Sequence, residues 1–177
     1  MKKTTLILIF LGVVLMTAGT TAAVVAYNNS ARRGIRNNNP GNLTKSNIPW
    51  KGKVPHSRNK DSHFEQFEDF QGVPGYIWGL RAMFIDLRGD VEKDGMNTPR
   101  KLITTYAPPT GIDPGTGKTY TQNTKGYIDA VSKALGITPD TPIAKTAYLP
   151  LMKAIIKHEN IEQPYPDAVI HRAMTTA

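Results

Sequence analysis

The 177-residue chain contains no cysteine. Disulfides, thiolate metal ligands and cysteine-nucleophile peptidase chemistry are thereby excluded. Histidine is scarce as well: His56, His63, His158 and His171 are the full complement of 4. None of them pair at the helical spacing of a zinc peptidase, and the grouping of His56, Asp61 and His63 reads as an ordinary surface loop. No metal and no cofactor are expected. A Gly-x-Ser-x-Gly nucleophile elbow is missing too, which removes the commonest serine chemistry. There is no long block of like charge, because the basic residues that set a net charge of +8 run from Lys2 to Arg172. Nucleic acid is therefore not an expected partner, whereas a membrane surface or a bacterial wall suits the charge.

What is present begins with an uncharged run. Lys2 and Lys3 precede the 23 residues from Thr4 to Ala26, which at ~1.5 Å per helical residue match the hydrocarbon thickness of a bilayer. A secretory signal has a shorter apolar core, although the small residues Val24 and Ala26 also suit a signal peptidase. The expectation is a single-pass membrane segment in residues 1–27, with secretion after signal cleavage as the alternative. Residues 28–32 read as a linker and residues 33–177 as one domain.

Within that domain strand patterns are scarce, and the expected class is mainly α. The segment from Arg33 to Lys60 is rich in Asn, Gly and Pro and reads as loops, with room for a short hairpin. Val73, Ile77, Leu80, Phe84, Leu87 and Val91 recur at steps of three and four, predicting an amphipathic helix from Pro74 to Lys93. Thr98-Pro99 is a helix start whose helix stops at Pro108. Asp113 to Thr119 reads as a surface loop. Thr124 is a candidate cap for a helix that Gly136 ends. Thr141-Pro142 repeats the start signal for a helix running to Glu159, and a last helix is predicted from Pro166 to Met174.

Carboxylates are the remaining chemistry. Glu65, Glu68 and Asp69 crowd the stretch FEQFEDF, where Phe64, Phe67 and Phe70 recur every third residue. Glu159 follows Ile155 and Ile156 at the end of an apolar helix, the setting in which a carboxyl group can serve as a general acid. Its plainer reading is a helix-end acid in a surface ion pair.

Here the residues resemble a family. RGIRNNNPGNL (Arg33 to Leu43), GLRAM (Gly79 to Met83), YAPP (Tyr106 to Pro109), NTKGYIDAV (Asn123 to Val131) and AIIKHEN (Ala154 to Asn160) look like the lysozyme-like lytic proteins of bacteriophage virions and prophages. The resemblance covers almost everything after residue 32. Beside soluble lytic transglycosylases, NPGNL resembles their Gly-Leu-Met-Gln turn, TYAPP their tyrosine motif and NTKGYI their final helix. The Glu-bearing helix, AIIKHEN, stands at the back instead of the front, as in a circular permutation. The resemblance thus implies a lysozyme-like, permuted domain behind one N-terminal transmembrane helix.

It also implies a function: cleavage of the β-1,4 bond between N-acetylmuramic acid and N-acetylglucosamine in peptidoglycan. Glu159 would be the single acid and base, with Tyr106 in contact with the sugar or with Glu159. Asn39, Asn42, Gln66, Tyr127, His158 and Asn160 would bind substrate. Glu65, Glu68 and Asp69 are the alternative acids, needed if the enzyme is a muramidase with two carboxylates across the bond. Partners would be glycan strands, the membrane through Thr4 to Ala26, and other virion proteins. The location would be a virion's internal membrane or a host's inner membrane. Two departures from the family pattern, Gln122 in place of an acid and Ile161 in place of Gly, keep open a non-catalytic virion structural or wall-binding protein. An endopeptidase on the same fold is a further alternative.

Overall fold

Arg33–Arg36 forms a single helical turn, α1, where the sequence reads only as loop. It opens the described part of the computed structural model, which comprises residues 32–112 and 118–177 and belongs to one compact unit spanning residues 31–177. From α1 the chain makes isolated antiparallel bridges, Thr44 with Phe64 and Lys53 with Phe67, in place of a hairpin.

The predicted central helix is α2, Gly75–Glu92. Its apolar stripe goes to the middle of the core: Ile77, Leu80, Met83 and Leu87 are buried. The Asp69 carboxylate accepts the Gly75 N–H at 2.9 Å and so satisfies one of the helix's free N-terminal donors. Gly79 faces the Asn38 carbonyl so closely that a Cβ there would overlap its oxygen. That contact seats the N-terminal loop on the helix.

Helix α3, Pro99–Tyr106, begins as the sequence predicts, with Thr98 accepting from the Lys101 N–H. After the prolines a small antiparallel sheet pairs β1, Thr110–Ile112, with β2, Thr119–Thr121. Helix α4, Thr124–Leu135, is capped by the Asn123 side chain and not by Thr124, whose hydroxyl donates to the Ala107 carbonyl instead. Gly136 ends it in the left-handed conformation, with φ 66°.

The start signal at Thr141-Pro142 is not used. The Ile143 N–H donates to the Asn97 carbonyl at 2.8 Å and its side chain enters the core. This holds the chain extended until a 3-10 turn at Lys145–Ala147 leads into α5, Tyr148–Asn160. Helix α6 spans Asp167–Thr175. Helices α2 and α6 pack together, as do α4 and α5, and α3 and α4. Leu151, Ile155 and Ile156 of α5 are fully buried, each contributing roughly 1.5–3 kcal/mol of apolar burial. A smaller cluster of Leu43, Phe67, Trp78 and Ala82 joins the 43–73 region to α2.

The expected fold class needs correction. The structure supports a mainly helical domain with a small two-stranded sheet, in place of a lysozyme-like domain behind a transmembrane helix. Among the described residues no helix is long and apolar enough to cross a membrane. The longest, α2, has 18 residues and carries Arg81, Asp86, Arg88, Asp90 and Glu92. The segment from Thr4 to Ala26 lies outside the described residues, as do residues 28–31 of the expected linker and 113–117 of the expected loop.

Candidate functional site

Glu159 is the penultimate residue of α5. Its helix end is pinned from the side by the N-terminal loop. Asn160 is fully buried, and its amide donates to the Pro40 carbonyl at 2.8 Å and the Ile156 carbonyl at 3.1 Å. Ile161 then turns the chain away in the left-handed region, φ 65°. Gly34 lies against this junction. A Cβ there would meet the Asn160 amide oxygen at 2.5 Å and the Asn39 carbonyl oxygen at 2.8 Å.

The three consecutive asparagines brace the loop in three directions. The Asn37 amide donates to Asp61 and accepts from Gln66. Asn38 donates to the Phe67 carbonyl. Asn39, fully buried, donates to the Leu43 and Glu65 carbonyls and accepts from the Leu43 N–H. The loop thus delivers Asn42, in the left-handed conformation at φ 51°, to Glu159. Its amide nitrogen donates to the Glu159 Oε2 at 2.8 Å.

This pair opens into a cleft of about 770 Å³, lined also by Arg33, Asp86, Asp90, Tyr106, Tyr120 and Gln122. The Tyr106 hydroxyl donates to the Gly41 carbonyl. Burial pushes the Tyr106 phenol well above its ordinary pKa, and the charge of Glu159 adds to the effect. Tyr127 behaves alike, first through burial and then through Glu159. Its buried hydroxyl lies near Glu159 but makes no well-formed hydrogen bond. The Tyr127 ring stacks on His158, with centroids 3.5 Å apart. Burial lowers the His158 pKa, with Glu159 opposing. The Arg33 guanidinium sits 3.6 Å over the Phe64 ring. Burial lowers its pKa, opposed by Asp61 and Glu159.

Two residues of the cleft, Asp86 and Asp90, have no place in the sequence reading. They stand four apart on α2, each one residue before a core position, Leu87 and Val91. That border position next to the apolar stripe is the signal that would have found them. Burial raises the Asp86 pKa. Burial, then Asp86 and Asp94, push Asp90 up to about 6. Arg33 and Tyr120 also lacked a role in the sequence reading.

The residues proposed from sequence divide cleanly. Glu159, Asn42 and Tyr106 line the cleft, and Tyr127, His158 and Asn160 adjoin Glu159. Asn39 and Gln66 are framework: Gln66 donates to Asn37 and accepts from the Lys60 N–H. The alternative acids lie elsewhere. Glu65 is fully buried, 2.9 Å from Lys53 and 3.4 Å from His56. Glu68 pairs with Arg58 at 2.6 Å, and Asp69 caps α2. Among the described residues no His, Asp and Glu cluster could hold a metal ion.

The chain is thus defined by a mainly helical domain with one helix-end glutamate, held by an asparagine, in a cleft with two further carboxylates. No protein-family model matches it. Over 140 residues it is 30% identical to Protein P5 of Pseudoalteromonas phage PM2, an alignment covering 77% of this chain and 76% of that protein. The chain belongs to the family of this bacteriophage protein.

Proposed function

We propose that the chain is a lytic transglycosylase that cuts peptidoglycan glycan strands between N-acetylmuramic acid and N-acetylglucosamine. The observation behind this reading is Glu159. It lines a cleft large enough for sugar rings, is held by a neutral amide, and forms no salt bridge among the described residues. A carboxyl group so placed can give up a proton and take one back.

In this reading Glu159 protonates the glycosidic oxygen as the bond to C1 of the muramic acid breaks. The departing sugar leaves with that proton as a hydroxyl. Glu159, now a carboxylate, accepts the proton of the muramic acid's own 6-hydroxyl as that oxygen bonds to C1. The product is a 1,6-anhydro sugar and no water is consumed. Gln122 offers an amide for N-acetyl groups, and Tyr106 and Tyr120 offer ring faces.

One observation favours a second reading. Asp86 and Asp90 put more carboxylates into the cleft, and a muramidase needs a second one ~5–5.5 Å or ~6.5–9.5 Å from the acid, according to stereochemistry. Digestion of purified peptidoglycan by the full chain, with mass analysis of the products, separates the two. Anhydro-muropeptides are the expected outcome, and Glu159→Gln should abolish their release. Reducing ends would indicate the muramidase and cut peptides an endopeptidase. No release of any product would leave a non-catalytic wall-binding protein.

A further inference from the structure

Asn42 does more than line the cleft. Its amide nitrogen donates to Glu159 Oε2 and, among the described residues, to no other group, while its own oxygen is buried without a partner. The backbone that carries the side chain is held from both sides. The Asn42 N–H donates to the Asn39 carbonyl at 2.8 Å, which closes the turn that holds φ at 51°. Asn160, the residue after Glu159, donates to Pro40 in the same turn. Loop and acid are therefore clamped to one another, which keeps the amide beside the carboxylate.

A carboxylic acid carries its proton on one oxygen at a time. An amide NH₂ only donates, so an oxygen that already accepts from it is poorly placed to carry a hydrogen as well. Beside the ionised acid a turned amide would set its own oxygen against a carboxylate oxygen, two acceptors facing each other, so the donor orientation is the one in place when the acid must be reprotonated. We propose that Asn42 is a positioning residue that keeps Oε2 of Glu159 as the acceptor and so directs the acid's proton to Oε1, the oxygen it leaves free. The role rests on the reading of Glu159 as the general acid. It differs from a substrate contact: Asn42 acts through Glu159 and not on the sugar.

Among the described residues no ionisable group makes a well-formed hydrogen bond to Glu159. Arg33 is near enough to interact by charge but is stacked on Phe64. The Tyr106 hydroxyl is committed to Gly41. The Tyr127 hydroxyl makes no well-formed bond, and His158 is engaged in the ring stack. Asp86 and Asp90 line the same cleft on α2, and neither makes a hydrogen bond to Glu159 among the described residues.

Asn42→Gly is the informative variant, because glycine adopts a positive φ without strain and the turn is kept. Losing a donor to the charged acid is expected to lower kcat on the order of 10- to 100-fold with KM unchanged. It should also move the alkaline limb of the kcat profile to higher pH, since a carboxylate without its donor holds its proton longer. Asn42→Asp should move that limb further up. On the acid side its protonated carboxyl offers an O–H to Oε2 and restores part of kcat. A rise in KM with kcat intact would make Asn42 a substrate contact and overturn the proposal. So would a fall in kcat with an unmoved limb, the mark of mere structural support.

NMR of the Asn42 side-chain amide in the full chain supplies a readout without substrate. An amide proton displaced by its hydrogen bond and released by Glu159→Ala supports the proposal, even if the chain cuts no glycan, in which case the lytic reading alone fails. An amide signal that Glu159→Ala leaves in place sinks the positioning role, whether or not glycan is cut.

Discussion

The rings of Tyr127 and His158 lie face to face, 3.5 Å between centroids and 12° from parallel. This contact ties α4 to the end of α5 at the residue before Glu159. The Tyr127 hydroxyl contributes little to it, being buried without a well-formed hydrogen bond. Tyr127→Phe should therefore keep stability within ~1 kcal/mol or raise it, since a poorly satisfied buried hydroxyl is removed. Tyr127→Ala should lower stability by about 3–5 kcal/mol through lost ring packing. Thermal unfolding of the pair decides, and a Phe variant as unstable as the Ala variant would show that the hydroxyl is anchored.

Asp90 makes stability depend on pH in an unusual direction for a carboxylate. Burial, with Asp86 and Asp94 nearby, moves it from 3.8 to about 6, so the folded domain holds this proton after the unfolded chain has released it. Stability from that proton is complete below 3.8, declines as pH rises, and is gone above about 6. Asp90→Asn should thus stabilise the domain at pH 8 and change little at pH 4. Denaturant midpoints at the two pH values test this, and equal gains at both would refute it.

The pair of Lys53 and Glu65 is a structural element of the loop region. Glu65 is fully buried, and it accepts from the Ser46 N–H and lies 2.9 Å from the Lys53 ammonium. Lys53→Met removes the nearer cation from the buried carboxylate and leaves it Ser46 and the more exposed His56, with an expected loss of about 3–5 kcal/mol. Lys53→Met combined with Glu65→Gln should recover part of that loss. Urea unfolding of the single and double variants is the measurement, and a double variant weaker than the single would contradict the account.

Gly79→Ala should be among the most damaging small substitutions. The added methyl overlaps the Asn38 backbone oxygen, which cannot rotate away as a side chain can. A loss of more than ~1–3 kcal/mol is expected, the ordinary range for overpacking. Circular dichroism during heating reads it directly, and an unchanged melting temperature would show that the loop gives way.

Much of this was legible in the residues. Periodicity placed α2, because one face of that helix meets the core along its whole length. The Thr98 cap and the Gly136 stop were legible because each acts within its own turn. Thr141-Pro142 misled because the Asn97 carbonyl captures the Ile143 N–H, a partner far away in sequence. For the candidate site, Glu159 stood out by its apolar approach and by the family resemblance. Asp86 and Asp90 did not, since their place in the cleft depends on how α2 packs against α5 and the N-terminal loop. Glu65 misled in another way: three acids within FEQFEDF look alike as a string. The fold sends one to the interior, one to Arg58 and one to the start of α2.

The junction of Asn42 with Glu159 spans 117 residues of sequence, and that of Pro40 with Asn160 spans 120. During synthesis the loop emerges from the ribosome long before the helix it must grip. A nascent chain halted at residue 150 would carry the loop, α2 and the hairpin, yet lack the glutamate and its anchor altogether. The cleft is complete only late, after two distant stretches of the polypeptide have found one another. Interrupted translation therefore yields a chain without the carboxylate and the anchor of this cleft.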